Sequence, residues 1–240
     1  MFEFGERHPI LFEIVLIVIS FLLAAVFVLA GNILYLPSEL SSSIGRIAIG
    51  VLLFLICRRA FQTEKPFRSL SFLIPALLLA VWNLYYGLSC GKQIGGISYL
   101  AEGLITALAP AVFEEVIFRG IFLYNLKKKG YGDMISMLLS AFVFSLTHLT
   151  NIVGMDLSSV VLQVGYSFVV GMVLAAIFLK NGSILQVILV HFLIDYVNRI
   201  FTEQPSSAST FQLILFAGLL VFEAIYALWL TGRKQAREEI

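Results

Sequence analysis

Charge is what this sequence has least of. Asp, Glu, Lys and Arg make up 13% of its 240 residues and apolar residues 60%, whereas a soluble domain is about 25% charged and about 45–50% apolar. That shortage excludes an ordinary soluble globule and leaves an integral membrane protein, of a length that suits one compact helical bundle. The net charge of +1 gives no electrostatic reason to expect a nucleic-acid partner. Cysteine is scarce too. Cys57 and Cys90 lie in different apolar segments, at no spacing that builds a zinc site or a disulfide framework, and read as small apolar fillers. Internal repeats, low-complexity tracts and a second domain are also missing, so residues 1–240 read as a single transmembrane domain.

What fills the chain is a series of apolar runs. A bilayer crossing needs about 20 mostly apolar residues. Such runs place helices near 10–30, 42–57, 70–89, 99–126, 134–149, 160–180, 184–200 and 210–230. The first is too long, and its flank too acidic at Glu3 and Glu6, for a cleaved signal peptide. Turn chemistry separates the runs, as in "KKKGYGD" and "TEQPSSAS". "NGS" at 181–183 reads as a tight turn. Pro75 and Pro110 fall inside spans, where neighbouring helices re-satisfy the freed backbone groups. Gly165 and Gly171 are expected to let helices approach closely.

Lys and Arg set the orientation. Arg7, Arg58, Arg59, Lys65, Arg68, Lys127, Lys128, Lys129, Lys180, Arg233, Lys234 and Arg237 fall on one side, and only Arg46, Lys92 and Arg199 are assigned to the alternate loops. The expected fold is an all-α polytopic membrane bundle of about eight transmembrane helices with both termini cytoplasmic.

Half of the spans are expected to carry no ionisable residue at depth, and the exceptions cluster. The fourth has Glu114, Glu115 and Arg119, the fifth ends with His148, the seventh has His191 and Asp195, and the eighth has Glu223. At 1.5 Å per residue, Glu114 lies about 18 Å from the end of its span at Leu126 and His148 about 21 Å from the start of its own. His191 and Asp195 lie about 12 and about 18 Å from the start of theirs. These depths are comparable, so three helices can point the groups into one cavity.

Residues four apart share a helix face. Glu115 and Arg119, Phe144 and His148, and His191 and Asp195 are so spaced. Glu115 and Arg119 can neutralise each other, and Glu114, about 100° round the helix, is left free. Two chemistries fit. In one, Glu114 is a general base on water that His148 helps to orient, and His191 donates to an oxyanion with Asp195 fixing its tautomer. In the other, Glu114, His148 and His191 hold a divalent metal such as zinc. Either would hydrolyse a peptide bond in a wet pocket within the membrane. Glu223 reads as an interfacial or helix-packing residue, and the 21 Phe as lipid-facing or core packing.

Three motifs in order, "EEVIFR", "FSLTH" and "HFLID", resemble those of the CAAX-protease and bacteriocin-processing family of intramembrane endopeptidases, also called the Abi family, whose members include type II CAAX prenyl endopeptidase-like proteins. The resemblance covers about residues 100–200. It implies that Glu114 and His148 activate water, that His191 and Asp195 stabilise the oxyanion, and that Glu115, Arg119 and Phe144 support them. It leaves the metal open, with no cofactor firmly expected. The short loops and the absence of a soluble domain suggest a multi-pass protein of a prokaryotic-type plasma membrane, and the buried site leads one to expect a membrane-embedded or lipid-anchored peptide or protein substrate. Two other functions compete: a proton-coupled transporter, since intramembrane acids and histidines also mark proton relays, and a non-catalytic bacteriocin-immunity or scaffolding protein. The zinc, aspartyl and serine types of intramembrane protease are set aside; no H-E-x-x-H occurs.

Overall fold

The chain is described by a computed structural model over residues 2–57, 73–202 and 208–232. A short helix α1 (Phe2–Arg7) leads into α2 (Pro9–Ile33), α3 (Ser38–Ile56), α4 (Ile74–Ser89) and α5 (Ile97–Glu115). From α5 the chain runs through a π-helical segment, Val116–Phe122, into α6 (Leu123–Lys128). Then come α7 (Asp133–Thr147) with a 3₁₀ turn at His148–Val153, α8 (Leu157–Asn181), α9 (Ile184–Arg199) and α10 (Thr210–Gly232). Among the described residues there is no strand, only an isolated bridge between Ile94 and Phe201. Each expected span coincides with a helix where it is described. Of the topogenic cations, Arg58, Arg59, Lys65, Arg68, Arg233, Lys234 and Arg237 lie outside the described residues.

Among the described residues, five helical stretches are long and apolar enough to cross a membrane: Pro9–Ile33, Ser38–Ile56, Asp133–Val153, Leu157–Asn181 and Thr210–Gly232. This is a multi-pass membrane protein. Its outer surface is a wall of exposed aliphatic side chains, such as Leu22, Val26 and Leu29 on α2 and Leu213 and Ile214 on α10. Such a surface is at home against lipid tails, where burial of apolar side chains gives no driving force. The interior is organised by helix pairs, chiefly α7 with α8, α3 with α5, α5 with α9, α10 with α8 and α4 with α9. That arrangement makes α5, α8 and α9 the centre of the bundle.

Local chemistry sets the ends. Asp156 caps α8, accepting from the Ser159 backbone N–H at 3.0 Å. The Ser158 and Ser159 hydroxyls also donate to it and, with that N–H, hold its carboxyl well below the usual range. The same helix stops at Gly182, whose φ of +69° is left-handed and whose N–H bonds back to Phe178 O, which makes "NGS" the expected tight turn. Pro75 lies in the first turn of α4, so it breaks no helical bond, whereas Pro110 is interior to α5 and buried.

Of the two glycines expected to allow close helix approach, Gly171 does so and Gly165 does not. A Cβ at Gly171 would come within 3.0 Å of Ala141 Cα and of the Phe144 ring, so glycine is what lets α8 close on α7. Gly165 faces open space, with nothing within 4 Å, and plays no such part. Gly171→Leu is expected to destabilise the protein by about 1–3 kcal/mol through overpacking, read as a lower unfolding temperature in detergent. Gly165→Leu should leave that temperature near the wild-type value.

Candidate active site

The π segment follows directly on Glu114 and Glu115, which close α5. A π turn adds a residue to the helical repeat and is common at functional sites. Here it carries Arg119, and Phe118 O within it accepts from Ser140 Oγ of α7 at 3.1 Å. Nothing in the residue pattern announces this segment.

Glu115 and Arg119 pair as expected, Oε1 to Nη1 at 2.7 Å, both fully buried. The guanidinium also donates to Gly171 O through Nη2 at 3.3 Å and lies 4.5 Å from the centre of the Phe144 ring. Phe144 thereby serves as a hub. Its ring meets those of Phe118, His148 and His191 edge-on, with centroids 5.3, 5.1 and 6.1 Å away. An aromatic four residues before His148 is thus what holds the arginine and both histidines in one layer.

His191 corrects one expectation. Its Nδ1 lies 2.7 Å from Glu115 Oε1, while Asp195 stands 3.6 Å from the other nitrogen, Nε2. Glu115 therefore sets the ring's orientation, because an ionised carboxylate only accepts and Nδ1 must carry the proton. Asp195 shares a helix face with His191 as the spacing implies, but a second carboxylate from another helix occupies the nearer nitrogen. Nε2 then points at Glu114 Oε2, 3.9 Å away, and at Asp195. A lone pair facing two carboxylates is unfavourable, so a proton belongs among these three groups. His148 follows the same rule: Nδ1 lies 3.3 Å from Phe144 O, an acceptor only, which leaves its Nε2 for other partners.

Glu114, His148, His191 and Asp195 all line one cavity of about 740 Å³, within the range of small-ligand and active-site pockets. The side chains of Glu114 and Asp195 are 17% and 32% exposed, against 0% for Glu115. The buried acid is held in ion pairs and the accessible ones face the hollow. Such a set can orient a water, take its proton and return it to a leaving group.

Among the described residues no three His, Cys, Asp or Glu side chains form a group able to hold a metal. The Nδ1 atoms of His148 and His191 are engaged, by Phe144 O and Glu115 Oε1.

Residues 96–197 match the family model described as type II CAAX prenyl endopeptidase Rce1-like. This segment is similar to that family over residues 96–197, less than half of the chain, and it contains all three motifs and the helices that bear them. No curated protein matches the chain, and neither does any solved structure.

Several features lie beyond what the sequence reading assigned. Glu13 and Arg46 sit within α2 and α3, two spans expected to be free of charge. Glu13 is fully buried, and so is Glu223, which fits the helix-packing reading of that residue; among the described residues neither carboxyl has a hydrogen-bond partner. Arg46 is not a loop residue but part of the cavity wall, as are Glu39 and Arg199, which pair at 2.8 Å. The signal was present: Glu39, Ser42, Ser43 and Arg46 recur at helical spacing on one face. Spelling alone does not set the serine and aspartyl types aside, since "GLSCG" at 87–91 and "GYGD" at 130–133 carry the letters of Gly-x-Ser-x-Gly and Gly-x-Gly-Asp. Ser89 ends α4, donates to Tyr86 O at 3.2 Å and accepts from Gln212. Asp133 opens α7 and pairs with Lys127. Neither lines the cavity.

Within the matched segment, Arg119→Ala leaves Glu115 as a buried charge compensated only by His191. Removing one partner of a buried pair costs about 3–5 kcal/mol. The variant is expected to express poorly and unfold well below wild type in detergent. A normal unfolding temperature would show that the ion pair does not hold the site.

Proposed function

We propose that the cavity is the active site of an intramembrane endopeptidase that hydrolyses a peptide bond of a membrane-associated peptide or protein tail. One observation carries the reading: Glu114, His148, His191 and Asp195, from three helices, line a single cavity in which Glu115 and Arg119 stay buried beneath.

In this mechanism Glu114 accepts a proton from a water that His148 helps to orient, and the water oxygen attacks the amide carbon. The developing oxyanion takes a hydrogen bond from His191 Nε2, which donates when the ring carries both protons; Glu115 then balances the charge through Nδ1. As the C–N bond breaks, the proton held by Glu114 passes to the leaving nitrogen. Asp195 shares the proton at Nε2 and keeps that nitrogen turned to the hollow. No step runs through a metal.

The native substrate reaches the site from the bilayer, since the reacting groups sit inside a wall of lipid-facing helices. The apolar runs and the Lys127–Lys129 cluster support eight crossings with both termini in the cytoplasm.

Glu114→Gln should abolish cleavage of a lipid-anchored reporter peptide in proteoliposomes, by about two orders of magnitude or more, while the unfolding temperature stays near wild type. Wild type should cut the anchored reporter well ahead of the same peptide without its anchor. Retained turnover in Glu114→Gln, or equal rates on both peptides, would refute the mechanism or the substrate class respectively.

A further inference from the structure

The wall of the cavity away from the catalytic groups is polar in an unexpected way. On α3, Glu39, Ser42, Ser43 and Arg46 all line it, one face of a helix that is otherwise apolar enough to span a membrane. Arg199, at the end of α9, also lines it, but its guanidinium is taken by Glu39 at 2.8 Å. Arg46 differs. It is half-buried, lies about 12 Å along α3 from the helix start, and among the described residues no hydrogen bond or ion pair reaches it. An ionised side chain inside a spanning helix is costly unless something neutralises it, and such residues mark ligand pathways.

Its height in the bundle follows from packing. One turn further along α3, Gly50 lies against Phe113 of α5, the neighbour of Glu114. Arg46 therefore stands about one helical turn, about 5.4 Å, from the level of the catalytic carboxylate. The cavity therefore holds the acids Glu114 and Asp195 and, about one turn away along α3, a guanidinium that has no partner among the described residues.

We propose that Arg46 is a specificity residue that binds the free α-carboxylate of the substrate's C-terminus, and so fixes how far from the chain end the bond is cut. This rests on the protease reading above. A guanidinium presents a planar fork that matches a carboxylate with two parallel hydrogen bonds. The two acids at the reacting centre repel a terminal carboxylate and steer it towards Arg46, which sets the direction in which the tail threads. The ligand is a peptide carboxylate rather than a lipid phosphate because the same hollow holds the groups that attack an amide.

The test uses full-length protein in proteoliposomes and one lipid-anchored peptide made twice, with a free-acid and with an amidated C-terminus. Wild type is expected to show a kcat/KM about tenfold or more higher for the free acid, the scale of one charge-assisted hydrogen bond. Arg46→Gln should bring that ratio close to one, and Arg46→Lys should restore part of it. Equal wild-type rates on the two peptides would overturn the proposal while leaving the protease reading intact, and this comparison needs no variant to fold. Failure of wild type to cut either peptide, or any bilayer-anchored peptide, would instead remove the reading beneath it. The same assay in neutral and in anionic vesicles separates the lipid source. If Arg46→Gln keeps the acid-to-amide ratio and loses only the dependence on anionic lipid, Arg46 binds headgroups and the proposal fails.

Discussion

A single carboxylate oxygen organises the interior. Glu115 Oε1 lies 2.7 Å from Arg119 Nη1 and 2.7 Å from His191 Nδ1, and none of its side chain is exposed. In a low-dielectric interior an unpaired charge is penalised heavily and a fully engaged one is held rigidly. Arg119 in turn reaches Gly171 O on α8 and the face of Phe144 on α7. One buried ion pair thus ties the end of α5 to α7, α8 and α9, and it can do so only because Gly171 lets the α7 and α8 backbones meet closely.

The placement of charge follows. Glu115 is buried because it is paired twice, and Glu114 is left over because its direction differs by one residue's rotation. The adjacent glutamates are therefore not redundant: one makes the scaffold neutral and holds the imidazole, the other faces the cavity. The π segment, Val116–Phe122, lies between them and the end of the helix and carries Arg119 back onto Glu115 and Phe144. Helices that carry this polar interior need not be apolar themselves. Accordingly α9, which bears His191 and Asp195, is not among the helices long and apolar enough to cross on composition alone.

The site was legible wherever residues share a helix. Spacing of four brings Glu115 to Arg119, Phe144 to His148 and His191 to Asp195, and helical rise put all of them at one depth. Contacts between helices were not legible. Periodicity says which face a residue occupies but not which neighbour that face meets, so Glu115 on His191 could not be read from either helix alone. The same limit hid the cavity role of Arg46, whose helix face was polar but whose facing partner was unknown. It hid the burial of Glu13 and Glu223 as well, since a carboxyl in an apolar run looks alike whether it meets lipid, headgroup or core. The π turn left no trace, because the apolar pattern of "VIFRGIF" does not distinguish a π turn from an α-helical one. Short spellings do not decide the chemistry either: "GLSCG" and "GYGD" carry motif letters, but Ser89 and Asp133 do not line the cavity.

The central claim is that Glu115 holds His191 by Nδ1 and turns Nε2 into the cavity, and histidine nitrogen NMR on ¹⁵N-labelled protein in detergent reads this directly. The account predicts that the His191 resonances, assigned by their loss in His191→Gln, show a protonated, hydrogen-bonded Nδ1, and that this signal moves in Glu115→Gln. A His191 protonated on Nε2 alone, or one whose Nδ1 signal ignores Glu115→Gln, would contradict it.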